Sequence, residues 1–509
     1  MVSDPAPSRR HILSLLLGVA AWPLLAQGAL ADAPLTSALP PRRGGIGAVP
    51  AAKPARQAVG GDALVAAAQL GGVVGYVVAD ARTGTVLEAA NAGQSLPPAS
   101  VAKTMTTLYA LDALGPAYRF TTRLVATGPV VGGKVRGDLI LAGSGDPTLA
   151  TDDLAAMAQA LKALGVTGIT GRFLVWGGAL PFIAEIDRDQ PGHVSYNPAI
   201  SGLNLNFNRV YFEWRKAGAG YSVSLDARSD LYRPAVTMAT MRVVNRDAPL
   251  YTYASAKDRD DWTVARPGLG SSGSRWLPVR HPDIYAGQVF QVLALTYGIS
   301  LPAPKVSPTA PPAGALISHQ SAGLAVILKD MLKYSTNMTA EVVGLTASRA
   351  RGGTAGSLAA STAAMNGWLA QQLGLKSARF VDHSGLGGDT RITAADLVAA
   401  LASPTGKGAL RGLLKQFPLV DAKGREVTDQ PVKITAKTGT LNFVSGLAGF
   451  ATTAAGTDLV FAILCADAAR RDRVPMAERE QPPGGQAWSR RARHLQQALI
   501  GRWAGVYGA

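Results

Sequence analysis

The 509-residue chain has one cysteine, Cys465, and six histidines. A lone cysteine forms no disulfide within the chain, so no disulfide framework supports the fold. The histidines are scattered and show no metal-ligand spacing such as His-Glu-x-x-His. Cys465 lies in the apolar run DLVFAILCAD, which indicates a buried strand, where burial makes a thiolate nucleophile unfavourable. We therefore expect no metal and no cofactor.

Acidic residues are also scarce: 34 Asp and Glu stand against 50 Lys and Arg, which gives a formal net charge of +16. The hydrophobic content of 47% excludes a disordered chain, and the length allows two or three domains. A basic balance of this size suits nucleic acid, anionic lipid or an acidic polymer as partner.

The N-terminus predicts export and so decides between these partners. Arg9 and Arg10 precede an apolar run from residue 12 to about 25, and the small-residue stop Ala-Leu-Ala ends at Ala31. This pattern predicts a cleaved signal peptide over 1–31; SRRHIL also resembles a twin-arginine signal, and the export route stays open. The run is too short to span a bilayer comfortably, and no later stretch is apolar enough. We expect a periplasmic or extracytoplasmic protein without a mature transmembrane span, which binds cell wall and no nucleic acid.

The changes in composition along the chain indicate one domain that is interrupted by another. Residues 32–61 are basic, rich in Pro, Gly and Ala and without apolar period, as in a flexible linker. A helix, a β-hairpin and a second helix follow over 62–120. Short apolar runs broken by glycine fill 121–319, and long amphipathic helices, strands and a basic closing helix occupy 320–509. We predict one catalytic domain built from 62–120 and 320–509, with 121–319 inserted. The closing helix is expected to pack on its own sheet rather than on a membrane surface.

The first candidate for chemistry is PPASVAKTMTTLYALDAL, residues 97–114. Ser100 stands at a helix start, and Lys103 lies one turn later on the same face, among Ala, Val, Met and Leu. One interpretation is a helix cap followed by a lysine that reaches solvent. The other is a desolvated, neutral lysine that takes the serine proton and creates a nucleophile without histidine.

The second candidate is the strand-like run KITAKTGTLNFVSG. Lys437 supplies positive charge, Thr438 and Thr440 point the same way in a strand, and Gly439 lets a ligand approach the backbone closely. The alternative is an edge strand in which a lysine guards against aggregation.

The third candidate, Ser-x-Asn, occurs twice. Ser195 and Asn197 lie in the inserted region, whereas Ser335 and Asn337 fall between two amphipathic helices. Either pair could simply form a turn. The position between helices favours Ser335 and Asn337 as the cleft residues.

In this order, Ser-x-x-Lys, Ser-x-Asn and Lys-Thr-Gly form the signature of penicillin-binding proteins and serine β-lactamases. The chain resembles the class C low-molecular-mass penicillin-binding proteins, the D-alanyl-D-alanine carboxypeptidase/endopeptidase family, which carries a domain inserted after the Ser-x-x-Lys helix. GSGDPTL, STNMTAE and DHSGLGGDTRIT add to the likeness. His383 departs from the small residue usual before Ser-Gly-Leu, and we give it no catalytic role.

The resemblance implies an α/β (α+β) fold: a penicillin-binding transpeptidase/β-lactamase-like domain, an antiparallel sheet flanked by helices, with a large mixed α/β domain inserted. It implies hydrolysis of D-Ala-D-Ala in peptidoglycan stem peptides and cross-links through an acyl-enzyme, with β-lactams as covalent inhibitors. The implied catalytic residues are Ser100 (nucleophile), Lys103 (general base) and Ser335 (proton relay). The implied substrate-binding residues are Asn337, Lys437, Thr438, Gly439 and Thr440.

Two alternatives remain beside this interpretation. A serine β-lactamase would use the same attack, but a compact class A enzyme has a much shorter chain than the stretch from Ser100 to Lys437 allows, and needs a dedicated Glu for deacylation. A catalytically silent wall-binding protein of the same fold would suit the basic surface, although every motif side chain is intact. The sequence leaves the balance between carboxypeptidase and endopeptidase open.

Overall fold

The computed structural model describes residues 59–353, 356–420, 425–427 and 432–508. The expected signal peptide and almost all of the expected linker lie outside these residues. The strands are β1 (Val73–Asp80), β2 (Val86–Ala90), β3 (Thr121–Ala126), β4 (Val130–Val131), β5 (Lys134–Val135), β6 (Leu139–Gly143), β7 (Gly168–Ile169), β8 (Phe173–Trp176), β9 (Arg209–Ala217), β10 (Gly220–Asp226), β11 (Ala239–Val244), β12 (Tyr251–Ala256), β13 (Arg259–Ala265), β14 (Ser272–Pro278), β15 (Lys305–Val306), β16 (Ile317–Gln320), β17 (Lys415–Gln416), β18 (Val432–Leu441), β19 (Val444–Thr453) and β20 (Asp458–Ala466). The α-helices are α1 (Gly61–Ala68), α2 (Ala102–Leu114), α3 (Thr151–Ala163), α4 (Pro282–Thr296), α5 (Leu324–Tyr334), α6 (Asn337–Ala350), α7 (Leu358–Leu373), α8 (Ala394–Ala402), α9 (Arg411–Leu413), α10 (Ala468–Asp472) and α11 (Gly485–Tyr507).

One antiparallel sheet joins the two ends of the chain. Its order is β17-β18-β19-β20-β1-β2. The hairpin of β1 and β2 is confirmed, and β1 also pairs with β20, so that Tyr76 faces Ile463. This sheet, with helices on both sides, is the arrangement that the sequence predicts. It brings residues separated by almost 400 positions into register.

Alternating side chains give the sheet two apolar faces. Tyr76 and Ile463 point to the face that α11 covers, where Trp488, Leu495 and Trp503 are buried. The closing helix therefore packs on its own sheet, as expected. Cys465 is buried on the same face, and burial raises the pKa of its thiol to about 12, so it stays protonated.

The opposite face carries the helices that hold the functional motifs. Val77 and Ala448 of the sheet share one core with Met105 of α2, Leu328 of α5 and Val343 of α6. Since α2 packs against both α5 and α6, the Ser-x-x-Lys and Ser-x-Asn motifs meet where these helices approach the sheet.

The region expected to be inserted builds its own sheets. Its five-stranded sheet has the order β15-β8-β6-β3-β16, and it mixes parallel and antiparallel pairs. Its core, which includes Phe173, Trp262 and Phe290, draws its buried side chains from residues between 124 and 301. Separate sheets and a separate core favour the insertion, whose boundaries at 121 and 319 stay a prediction. Among the described helices, none combines the length and the apolarity that crossing a bilayer requires.

Candidate active site

Ser100 lies in a single 3-10 turn, Ala99–Val101, directly before α2. Ala99 holds a left-handed backbone conformation, with φ of 48°, which is unusual for a residue with a Cβ and is often found at functional sites. The turn presents the Ser100 side chain to a cleft. The sequence places this serine at the helix start, and the structure adds the tight turn.

Lys103 is fully buried, and its amine contacts three oxygens. Lys103 Nζ donates to Ser100 Oγ at 3.1 Å, to Asn337 Oδ1 at 2.7 Å and to the carbonyl oxygen of Ser384 at 2.8 Å. Burial lowers the pKa of Lys103 to about 8, although the negative charges of Asp382 and Glu341 oppose that shift. About a tenth of the amine is therefore neutral at pH 7, beside the serine hydroxyl.

Ser335 and Asn337 occupy the turn between α5 and α6. Ser335 ends α5 in a left-handed conformation, with φ of 60°, and Asn337 is the first residue of α6. Besides binding Lys103, Asn337 donates from Nδ2 to the carbonyl oxygen of Tyr196 at 3.0 Å. One amide thus links the buried lysine to the inserted region.

Lys437 is a second buried lysine, on β18. Its Nζ donates to Ser335 Oγ at 3.0 Å and to the carbonyl oxygen of Thr438 at 2.6 Å. Burial, followed by the positive charges of Lys103 and Lys415, lowers its pKa well below the ordinary value. Two serine–lysine pairs thus lie in one site.

Gly439 sits where β18 passes the turn that holds the serine. A Cβ at this position would stand 2.5 Å from the carbonyl oxygen of Pro98 and 2.9 Å from the amide nitrogen of Ser100. Only glycine permits this approach. The glycine of Lys-Thr-Gly therefore serves backbone packing beside Ser100, and its part in ligand access stays a prediction.

A cleft of about 820 Å³ joins the motifs. Among the residues that line it are Ser100, Ser335, Asn337 and Thr440. The Thr440 side chain is exposed and that of Thr438 is half-buried, while Lys437 lies beneath. The volume falls within the usual range for small-molecule sites.

The other Ser-x-Asn copy, Ser195–Asn197, does not supply its asparagine to the cleft. Asn197 is buried and binds its own loop: its Oδ1 accepts from the backbone N–H groups of Ile186 and Asp187. Tyr196, between Ser195 and Asn197, lines the cleft. Turn formation therefore explains this copy of the motif.

His383 is buried away from the reacting groups. Its Nε2 lies 2.8 Å from Ser361 Oγ, its ring stacks on Tyr109, and burial lowers its pKa to about 3. A Cβ on Gly344 would stand 2.2 Å from the ring, so the larger residue fits because a glycine faces it.

Sequence reasoning missed the groups near Lys103 that belong to none of the three motifs. Glu341 and Asp382 are buried carboxylates near the lysine, and Ser384 contributes a carbonyl oxygen that no side-chain pattern reveals. These residues lie in the stretches STNMTAE and DHSGLGGDTRIT. The likeness of those stretches to the family was the sequence signal that could have drawn attention to them.

The fold and the paired serines and lysines define a serine peptidase of the penicillin-binding class. The fold matches a solved structure of penicillin binding protein 4 (dacB) from Haemophilus influenzae with a TM-score of 0.69 at 21% identity, over 87% of this chain and 99% of that one. The chain belongs to the D-Ala-D-Ala carboxypeptidase 3 (S13) family, whose model matches residues 61–482. It is a serine-type carboxypeptidase.

Named relatives agree with this assignment. The D-alanyl-D-alanine carboxypeptidase of Actinomadura sp. (strain R39) is 29% identical over 428 residues, which cover 77% of this chain and 78% of that protein. D-alanyl-D-alanine carboxypeptidase DacB of Haemophilus influenzae is 24% identical over 413 residues, which cover 77% and 85%.

Replacing Gly439 by alanine tests the packing beside Ser100. Because the new Cβ meets backbone atoms of Pro98 and Ser100, we expect the nucleophile to move and kcat/KM for D-alanine release to fall by roughly 100-fold. Gly412→Ala is the control, since a Cβ there meets nothing within 4 Å. Equal activity of the two variants would contradict the packing argument.

Proposed function

We propose that the enzyme removes the terminal D-alanine from peptidoglycan stem peptides through an acyl-enzyme on Ser100. The observation that carries the proposal is the 3.1 Å contact between Ser100 Oγ and the buried amine of Lys103. Nothing else in the cleft offers the hydroxyl a base at this distance among the described residues.

In the first step, neutral Lys103 accepts the proton of Ser100, and Ser100 Oγ bonds to the carbonyl carbon between the two D-alanines. The oxyanion that forms is received by the backbone N–H groups of Ser100 and Thr440. Loss of one such donor typically costs about 3–4 kcal/mol of barrier.

In the second step, the carbon–nitrogen bond breaks and the leaving amine takes a proton. This is the proton that Lys103 took from Ser100, and Ser335 relays it to the amine, which leaves Lys103 neutral again. Ser335 is placed for this step by its contact with Lys437, and Asn337, two residues later, binds Lys103. Water then attacks the ester carbon. The hydroxyl of the water bonds to that carbon, the bond to Ser100 Oγ breaks and the proton of the water returns to Ser100 Oγ, so the shortened peptide leaves as a carboxylic acid.

The substrate's terminal carboxylate binds beside β18. Thr438 and Thr440 donate hydroxyl hydrogen bonds to the carboxylate, and a bound carboxylate would favour the ammonium form of Lys437, whose pKa burial otherwise lowers well below its ordinary value. Asn337 orients the substrate amide as well as Lys103. Gly439 contributes by letting β18 pass close to the backbone of Pro98 and Ser100.

Inhibition by β-lactams follows from the same attack. The Haemophilus influenzae penicillin binding protein 4 has been solved in complex with a β-lactam. In this chain the ring would open on Ser100 and leave a covalent adduct. An exported enzyme in the periplasm, reached through a cleaved signal peptide, would meet both peptidoglycan and these inhibitors.

Ser100→Ala removes the nucleophile and should abolish covalent labelling by a fluorescent penicillin, as well as D-alanine release. Ser222→Ala, an exposed position on β10, is the matched control and should label like the wild type. Persistent labelling of the Ser100 variant would remove this serine from its role.

The pKa of Lys103 predicts the acidic limb of the pH profile. Because its pKa is lowered to about 8 and the neutral amine is the active form, kcat/KM for an N-acetylated D-Ala-D-Ala peptide should fall about tenfold per pH unit below that value. The profile is measured with folding monitored by circular dichroism. A rate that stays constant from pH 9 to pH 6 would contradict this assignment.

Cross-link endopeptidase activity is a second candidate, favoured by arginines that line the cleft. Beyond Thr440 the cleft is lined by Arg490 and Arg493 of α11, both exposed. Arg493 binds a carbonyl of its own helix. The cleft is also lined by the basic residues Arg391, Arg471 and Arg479 and by the acidic residues Asp189, Asp389, Asp472 and Glu480. The charge there is therefore mixed, and this candidate assigns Arg490 and Arg493 to the leaving peptide.

Arg490→Ala/Arg493→Ala tests this candidate with defined muropeptides. If an anionic leaving peptide binds there, KM for a cross-linked dimer should rise about three- to tenfold, while D-alanine release from the monomer stays unchanged. The control, Arg82→Ala/Arg215→Ala, removes the same charge at exposed positions that do not line the cleft. Equal losses on both substrates, or none, would count against the endopeptidase reading.

A further inference from the structure

Glu341 is a buried carboxylate that lies one turn after Asn337 on α6. Its Oε2 accepts from the backbone N–H of His383 and its Oε1 from that of Ser384, both at 2.9 Å. Burying a carboxylate costs free energy unless hydrogen bonds satisfy its oxygens. Here one side chain binds two consecutive peptide groups, which requires two acceptor oxygens at the spacing of a carboxylate.

The same residue, Ser384, connects this carboxylate to the active site. Its N–H faces Glu341, and its carbonyl oxygen accepts from Lys103 Nζ at 2.8 Å. Any movement of the Glu341 carboxylate would therefore reach Lys103 through a single residue.

The rest of the loop is fixed independently of Glu341. Asp382 accepts from the N–H of Gly385 at 2.7 Å. Gly385 has a φ of 76°, and a Cβ there would stand 2.0 Å from the carbonyl oxygen of Ala99. The loop thus packs against the turn that carries the nucleophile, and Glu341 sets the orientation of the one carbonyl that faces the base.

We propose that Glu341 is a positioning residue that holds the Ser384 carbonyl against the Lys103 amine and so sets the protonation of the base. Helix α6 then supplies one of the three acceptors of this amine, Asn337 Oδ1, and holds the residue that carries another, Ser384, through Glu341. The proposal rests on the proposed function of Lys103 as general base.

The charges around Lys103 fix the direction of the effect. Glu341 faces it from α6 and Asp382 from the loop, and the carboxylate form of each favours the ammonium form of Lys103. Burial raises the pKa of Glu341 to about 8, while the two backbone N–H groups that donate to its oxygens oppose that shift and favour the carboxylate. A carbonyl oxygen that accepts from the amine also favours the ammonium form. Removing the Glu341 charge and loosening the Ser384 carbonyl must therefore both lower the pKa of Lys103.

Glu341→Gln is the main test. Glutamine has one acceptor oxygen, so its NH₂ group would oppose one of the two backbone N–H groups. We expect the plateau of kcat/KM for D-alanine release to fall by about 10- to 100-fold. We also expect the midpoint of the acidic limb of the pH profile to shift to lower pH by about one unit. A role confined to stability would lower the rate and leave the limb in place.

Two further variants keep the test decisive. Glu341→Asp retains the charge but withdraws it by one methylene group, so it should show a smaller rate loss and a smaller downward shift of the limb. Asp283→Asn is the control: it alters a half-buried carboxylate that accepts from Ser201, far along the chain from α6, and it should leave the limb unchanged.

The outcomes separate this proposal from the proposed function. If folded Glu341→Gln has its acidic limb at the same pH as the wild type or at a higher pH, the role of Glu341 is overturned. If that variant does not fold, a wild-type rate and a wild-type limb in Glu341→Asp would overturn the role instead. In either case, loss of penicillin labelling in Ser100→Ala would still support Ser100 as the nucleophile, so the two failures are distinguishable.

Discussion

The site depends on keeping the amine of Lys103 out of water. A buried ammonium ion is unfavourable, and a buried neutral amine is a base. Ser100, Asn337 and Ser384 each offer it an oxygen within 3.1 Å, so the side chain stays fixed whichever form it takes. The surrounding helices and the sheet serve to exclude water from this point and to hold the three oxygens in place.

Close packing between the sheet and the start of α2 is the second requirement. At Gly439 the strand passes so near the turn of Ser100 that a methyl group would not fit, and Gly385 approaches the same turn from the other side. Lys437 and Ser335 reach the cleft because β18 and the turn before α6 converge there. The inserted region takes part through the Tyr196 carbonyl, which binds Asn337. The turn of Ser100 is thus fixed by backbone contacts from two distant parts of the chain, and a third part, around Tyr196, binds the neighbouring Asn337.

Much of this arrangement could be predicted from the sequence, because side-chain identity and spacing carry it. The three motifs, the hairpin of β1 and β2, the buried Cys465 strand and the packing of α11 follow from local patterns. The carbonyl of Ser384 could not, since every residue has one and only the fold shows which one faces Lys103. The role of Glu341 depends on two backbone N–H groups 42 and 43 positions away. His383 departs from the family pattern and is accommodated by Gly344, a tertiary compensation that no local rule reveals.

The account is tested most directly by measuring the pKa of Lys103 itself. In protein labelled with ¹³C and ¹⁵N at lysine, the signal of Lys103 is identified by its loss in Lys103→Arg and is then followed as a function of pH. The account predicts a midpoint of about 8. A midpoint above 10, as for a lysine in water, would show that this side chain remains charged at neutral pH and would contradict its assignment as the base.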